Sequence, residues 1–471
     1  MNILVMESST TSAKAMLYDA SDGTFCVKTQ PYSFIEETVG LQDPEIILAT
    51  TIKLGSQVCH GKKVDAIALG CTFHAFMLCD AHMNAQSPLY QWTYVGASEL
   101  CSKLRSDEVY VRNFYKKTGC MVNATYSFFK LKQLRREGKR LEDYIIADQG
   151  VYNMHKLTGE CVITNVVLSG NGLLNINTRD LDDELLNELG LKRENMPELV
   201  PYNRSYPLSR QGAKLLGIEQ GIPVMPAMPD GVLNQVGSGA LAPEIMTFSV
   251  GTSAAMRMSV PKPIVPDRPG TWCYLSPNQW LSGAAVAGST NCIDWCRERF
   301  FSSGMGFDKI EKNLKYTDSP PVFLPFIFGE RCPGWEDSRL GGFLEVSPGH
   351  TAYDMYQAVQ EGILFNLYQC YEVLVALNGK PSRIKLSGGI LNSPLWLQMC
   401  ADIFQTPMEA DPATHASVMG AVAVAMERLG VIGGIDEVKT APGNIIRPNG
   451  ASFKGYIRRY EAYLNWYAKS M

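Results

Sequence analysis

The 471-residue sequence has no apolar run long enough to cross a bilayer, no block of clustered Lys and Arg, and no Cys-x-x-Cys pair. Each absence removes a class of function. With 43 Lys and Arg against 47 Asp and Glu, the formal net charge of -4 leaves no basic stripe for nucleic acid and no polybasic patch for a membrane surface. The 13 cysteines are odd in number, scattered, and without a His cluster beside them. Cys292 and Cys296 in "CIDWC" lie one helical turn apart with no further ligands, so reduced and mostly buried thiols are expected. The opening "NILVM" reads as a strand, with no basic segment before it and no small-residue cleavage site after it. A soluble cytoplasmic protein is expected.

What is present is a duplication. The chain is too long for one ordinary core, so two domains are expected. Asn2–Met6 predicts a buried strand, "KAMLYDASDGTFCVKTQPYSF" a β-hairpin turning at Ser21-Asp22-Gly23, "QDPEIILATTIKLGSQV" a helix and "VDAIALG" a second buried strand. The second half repeats this order. "IMTFSV" and "AAMRMSV" predict a hairpin, and a long helix carries Met355, Val359, Ile363, Leu367, Tyr371 and Leu374 at three-to-four spacing. Thr351-x-x-Asp354 resembles a capping box and Asn378-Gly379 a stop. "RIKLSGG" then runs as a strand into a glycine turn. The join is expected near Gly239–Glu244.

Each half opens on a hydroxyl-rich turn. Without gaps, Val5–Leu17 and Met246–Met258 share Ser8/Ser249, Thr11/Thr252, Ser12/Ser253 and Ala13/Ala254. Such turns gather backbone N–H groups and hydroxyls, which suits phosphate oxygens; Ser/Thr turns are common, so one copy alone carries little weight. Ser387-Gly388-Gly389, between a strand and a helix, lets a ligand approach the backbone closely.

The chain resembles the FGGY carbohydrate kinases of the actin-like ATPase superfamily over nearly its whole length. Glu7-Ser8-Ser9-Thr10-Thr11-Ser12-Ala13-Lys14 resembles the first phosphate motif, and "FSVGTSAAMR" the second, with Gly251, Thr252 and Ser253. "GERCPGWEDSR" resembles the signature segment, and "SGGILNSPLWLQMCADIFQTPME" with "VMGAVAVAM" the adenosine-side motifs, with Gly388, Gly389, Asn392 and Ser393. "PDGVLNQVGSGA" looks most like the gluconate-kinase branch, and the resemblance makes Asp230 the catalytic base. A carboxylate in a Pro-Asp-Gly turn suits that work, although such turns form readily without a catalytic role.

Three departures stand out. Glu7 replaces the usual Asp that helps place metal and nucleotide, and Ser9 replaces a glycine. In Trp92-Thr93-Tyr94-Val95-Gly96-Ala97, Tyr94 and Gly96 stand where relatives carry Asp and Arg. That removes a charged fork, and gluconate, an anion, then needs a cation from elsewhere. "GCTFHAF" resembles the Gln-Met-His segment of pentulose and gluconate kinases and retains His74, which stays open between sugar contact and core packing. His415 replaces a frequent Glu and reads as a surface position. The C-terminal stripe of Phe453, Tyr456, Tyr460, Tyr463 and Tyr467 reads as a packing face.

The resemblance implies two ribonuclease-H-like (actin-like) α/β domains, 1–241 and 242–471, with the active site in a cleft between them. The first would hold the sugar side and the first phosphate turn, the second the nucleotide. The implied activity is ATP-dependent phosphorylation of a hydroxyl on a sugar or sugar acid, gluconate first, xylulose or another ketose or polyol second. Mg²⁺ is expected at Glu7 and Asp230. Thr10, Thr11, Ser12 and Lys14 join the nucleotide residues above, and Phe73, His74, Trp92 and Asp230 face the sugar. A catalytically weak sugar sensor and a bare actin-like ATPase stay open as other classes. No nucleic acid or membrane partner is expected; a homodimer rests only on the resemblance.

Overall fold

The computed structural model describes residues 1–35, 39–411, 415–438 and 440–470. The first half builds β1 (Asn2–Ser8), β2 (Ser12–Asp19), β3 (Phe25–Pro31), α1 (Pro44–Cys59), β4 (Ala66–Cys71), β5 (Tyr206–Pro207), β6 (Pro223–Pro229) and the short helix α2 (Asp230–Gly237). Its six-stranded sheet runs β5-β6-β4-β1-β2-β3. β1 is antiparallel to β2 and parallel to β4, and β4 is parallel to β6. β1 and β4 are buried almost throughout, which is why they read as continuous apolar runs.

The second half repeats this with β7 (Ile245–Val250), β8 (Ala254–Val260), β9 (Trp272–Ser276), β10 (Gln279–Val286), α3 (Thr290–Phe300), α4 (Ala352–Asn378), β11 (Arg383–Gly388), α5 (Pro394–Phe404), β12 (Met408–Ala410), α6 (Ala416–Arg428), β13 (Asn444–Ile446) and α7 (Gly450–Lys469). The seven-stranded sheet runs β9-β10-β8-β7-β11-β12-β13. β7 is antiparallel to β8 and parallel to β11, as β1 is to β2 and β4. The mixed α/β duplication is therefore present.

The ungapped match of the two turns needs one correction. Ser8 pairs with Ala13, but Ala254 pairs with Val250 rather than Ser249. The second turn is one residue shorter, so Glu7 and Lys14 correspond in the sheets to Ser249 and Ala255. The charged pair belongs to the first half alone.

The expected capping box closes α4: Thr351 N donates to Asp354 Oδ2 at 2.7 Å, and Asp354 N donates to Thr351 Oγ1 at 3.4 Å. Tyr456, Tyr460, Tyr463 and Tyr467 of α7 are buried, and the rings of Tyr460 and Tyr463 pack on Phe365 of α4. All cysteines are free, and all but Cys26 and Cys161 are buried. No helix among the described residues is long and apolar enough to cross a membrane.

The halves are knitted by residues far apart in sequence. Tyr126 and Tyr274 hydroxyls meet at 2.9 Å, and Cys273 N donates to the Gly119 carbonyl at 3.0 Å. α2 packs against α6 so closely that a Cβ on Gly237 would strike the Ala416 carbonyl oxygen.

Candidate active site

Three parallel strands, β6, β4 and β1, end side by side, and their C-terminal ends build one wall. Glu7 is the last residue but one of β1, Thr72-Phe73-His74 follow β4, and Asp230 follows β6 as the first residue of α2. The opposite wall comes from the second sheet. Together Thr10, Phe73, His74, Trp92, Asp230, Ser253, Arg257, Trp272, Tyr274 and Arg331 line a cavity of about 210 Å³. Thr10 belongs to the first hydroxyl-rich turn and Ser253 to the second, so both turns border one cavity. A larger cavity of about 390 Å³ lies in the second half, between the 318–323 segment and α7, and contains none of these motifs.

The first turn is held by side chains. Tyr32 Oη donates to the Ser9 carbonyl, Gln42 Nε2 donates to the Thr10 carbonyl at 2.8 Å, and Trp92 Nε1 donates to Thr10 Oγ1 at 2.9 Å. Thr10 therefore positions the turn, while the Thr11 side chain is exposed and makes no hydrogen bond. Ser12 is half-buried beside it. Lys14 Nζ lies 3.1 Å from Glu7 Oε1, and Ser9 Oγ donates to the same oxygen at 2.9 Å. Glu7 Oε2 is buried with no hydrogen-bond partner among the described residues. Ser9, in place of the family's glycine, thus steadies the carboxylate.

Asp230 is half-buried and feels the charge of Glu7. Burial, then the neighbouring Glu7 charge, pushes its carboxyl up to about 6, with Arg257 pulling the other way. Burial also pushes Asp148 to about 6, but that carboxylate caps a helix, accepting from Val151 N at 2.7 Å. Only Asp230 lines the cavity.

His74 is buried with φ +63. Its Nδ1 meets the Gly170 carbonyl, so Nδ1 carries the proton and Nε2 is left as an acceptor. Burial first, then Arg331, holds its pKa well below the ordinary value, so the ring stays neutral. It stacks on Phe73 with centroids 5.1 Å apart, and Tyr126 and Tyr274 meet it edge-on. Lys130, wholly buried, donates to the His74 carbonyl at 3.1 Å and the Gln91 carbonyl at 2.6 Å.

On the nucleotide side, Gly388 pairs with Val250 across β11 and β7. Its φ of +96 and a Cβ that would strike the Val250 carbonyl require glycine there. The Gly251 carbonyl accepts from Thr290 N at 3.0 Å, and a Cβ on Gly389 would lie 3.2 Å from Thr290 Cγ2. The Gly251–Ser253 turn, Gly388-Gly389 and the start of α3 therefore adjoin. Thr252 and Asn392 are exposed, whereas Ser393 is buried: its hydroxyl caps α5 through Trp396 N at 3.2 Å and donates to Glu311 at 2.7 Å. Ser393 therefore supports this wall, and the neighbouring Asn392 is exposed.

Sequence reasoning missed Thr290, Arg257 and the division of labour in Gly329-Glu330-Arg331. Glu330 turns into the core, 2.8 Å from Arg339 and accepting from Tyr467 Oη at 2.7 Å, while Arg331 lines the cavity. In the altered loop, the Tyr94 ring folds over Gly96, filling space a longer side chain would need. His415 precedes α6 as its N-cap with φ +70, its ring edge-on to Phe25 with centroids 6.3 Å apart, and it is not among the cavity-lining residues.

The model for the N-terminal domain of the FGGY family of carbohydrate kinases matches residues 2–237, and that for the C-terminal domain matches 246–428. A gluconokinase of Bacillus subtilis (strain 168) is 25% identical over 467 residues, covering 94% of this chain and 91% of its own. A xylulose kinase of Escherichia coli (strain K12) is 25% identical over 409 residues, covering 82% of each. A gluconate kinase structure from Lactobacillus acidophilus shares the fold at TM-score 0.93 and 24% identity, covering 98% of this chain and 97% of that one.

Proposed function

The chain belongs to the FGGY family of carbohydrate kinases, and from that premise we propose that it transfers the γ-phosphoryl group of ATP to a hydroxyl of gluconate. The observation that carries the reading is Asp230: a half-buried carboxylate raised to about 6 that lines a sugar-sized cavity together with Thr10 and Ser253 of the two hydroxyl-rich turns. Gluconokinase and gluconate kinase among the similar proteins support the acid, and xylulose kinases keep a ketose as the second candidate.

Asp230 takes the proton of the acceptor hydroxyl as its oxygen bonds to the γ-phosphorus and the bond to the ADP oxygen breaks. His74 Nε2 accepts a hydrogen bond from a second hydroxyl and orients the chain. Thr11 and Ser12 on one side, and Thr252 and Ser253 on the other, donate to the phosphates, while Gly251, whose N–H donates to the Ser253 carbonyl at 3.0 Å, shapes the second turn. Lys14 anchors Glu7. Gly388, Gly389 and Asn392 border the adenosine.

The residues fit Mg²⁺: the unpartnered Glu7 oxygen and Asp230 are hard donors. Among the described residues no group of three metal-type side chains occurs, which suits a cation held largely by nucleotide phosphates. Bound there, Mg²⁺ would offset charge on the phosphate oxygens.

The division at residue 241 falls between the two matched segments, and a cytoplasmic homodimer belongs to the same proposal. The test is an ATP-consumption screen over gluconate, xylulose and glycerol with Mg²⁺. Acceptor-dependent ADP formation supports the reading; acceptor-independent hydrolysis or binding without turnover supports the other classes.

A further inference from the structure

The cavity holds two cations that the reaction just described does not use. Arg257 projects from β8, and Arg331 follows Glu330 in the signature segment; both line the cavity with Asp230, His74 and Trp92. Neither makes a hydrogen bond or ion pair to any described residue, and Arg331 Nε is buried without a partner. Both side chains are half-buried, so each guanidinium lines the cleft with donors open to an acceptor that arrives from outside.

The geometry places them at the substrate. A Cβ on Gly231 would lie 3.3 Å from Arg257 Nη2, so that guanidinium sits beside the residue after Asp230. The Arg331 guanidinium lies over the Trp92 ring, 5.4 Å from its centroid. Ser253, Ala255 and Arg257 alternate along one face of their strand, which puts Arg257 about 13 Å from the phosphate turn in backbone terms. Burial lowers the pKa of Arg257; Asp230 opposes this, and Arg331 adds to it as a like charge. The nearby carboxylates are engaged: Glu7 with Lys14, and Asp230 as the base. The Trp92–Ala97 loop offers no cation of its own, since Tyr94 and Gly96 stand where a charged fork is expected.

We propose that Arg257 and Arg331 form a carboxylate subsite that binds the acid end of an aldonic acid, and that this pair makes the enzyme choose a sugar acid over a neutral ketose or polyol. The inference rests on the sugar-acid reading above. Planar guanidinium groups match a carboxylate through paired N–H donors, and one carboxylate relieves two repelling cations at once.

The test is steady-state kinetics of the full chain on gluconate and on its neutral counterpart glucitol, for wild type, Arg257→Gln, Arg331→Gln and Arg257→Lys. Gluconate binding without nucleotide is followed by calorimetry. Each Gln variant is expected to lower the gluconate-over-glucitol preference roughly 10- to 100-fold, mainly through KM for gluconate. Arg257→Lys recovers part of it. Both Gln variants keep the thermal midpoint, since a half-buried cation with no ion-pair partner is removed; a merely structural arginine would lower it. Equal losses on both acceptors, or a parallel rise in KM for ATP, would overturn the subsite and assign the arginines to phosphate. Wild-type turnover of gluconate with unchanged preference in the variants overturns the subsite alone. A wild type that neither binds nor phosphorylates any aldonate overturns the subsite and the sugar-acid reading together.

Discussion

Gly237 and Gly420 place two helices in backbone contact: a Cβ on Gly237 would strike the Ala416 carbonyl, and one on Gly420 the Leu233 carbonyl. These helices, α2 and α6, come one from each half, and α2 begins at Asp230. The seam between the halves therefore bears directly on the helix that Asp230 opens. Gly420→Val is expected to cost about 1–3 kcal/mol, the usual scale of overpacking, and to lower kcat more than it raises either KM. Denaturant unfolding and steady-state kinetics check this; a variant with normal stability and turnover would separate the seam from the site.

Asp230→Asn keeps the size of the side chain and removes the proton acceptor. Phosphoryl transfer is expected to fall about 10²- to 10⁴-fold while ATP affinity holds. In wild type, the acceptor kcat/KM falls as pH drops below about 6, where Asp230 becomes protonated. The stability effect has the opposite sign to an ordinary ion pair. The folded-state pKa is raised from 3.8 to about 6, so the native state holds more protons and wild-type stability declines from pH ~4 to ~6. Above that window the half-buried charge is a standing cost, and Asp230→Asn is expected to raise the thermal midpoint at pH 7. A pH-independent difference between the two proteins would contradict the assignment.

Glu7→Gln removes charge but keeps shape. With Lys14 then unpaired and the buried Oε2 replaced by an amide, turnover is expected to need more Mg²⁺, with little change in acceptor KM. Titrating Mg²⁺ at fixed ATP checks this. An unchanged Mg²⁺ dependence would leave Glu7 as a purely structural partner of Lys14.

Much of this arrangement was legible locally. The helix from Ala352 and its Thr351–Asp354 cap depend on neighbours three and four residues apart, and a strand such as Asn2–Ser8 announces itself by its own apolar run. Arg257 was not legible. It alternates with buried residues in β8, where a polar residue normally marks the solvent face, and only the opposing sheet turns that face into a cavity wall. The one-residue difference between the two turns was hidden for a related reason: shared Ser and Thr aligned without a gap, and strand register alone exposed the offset. Glu330 and Arg331 are adjacent, and no pattern says that one enters the core and the other the site.

Arg339→Met tests that division. Glu330 and Arg339 are both almost wholly buried, 2.8 Å apart, with Tyr467 as the third member. Removing one partner from a buried pair costs about 3–5 kcal/mol. The variant is expected to lose stability by denaturant unfolding and to keep the acceptor preference of wild type, because Arg331 faces the other way. A changed preference at unchanged stability would show that the buried trio acts on the site directly.

The central claim is that this enzyme phosphorylates a sugar acid. The most direct measurement is phosphorus NMR of wild type incubated with ATP, Mg²⁺ and gluconate. The account predicts a new phosphate-monoester resonance growing in step with ADP, absent without gluconate and reduced at least about 10²-fold in Asp230→Asn. ADP appearing with inorganic phosphate alone, at a rate that gluconate does not alter, would contradict it.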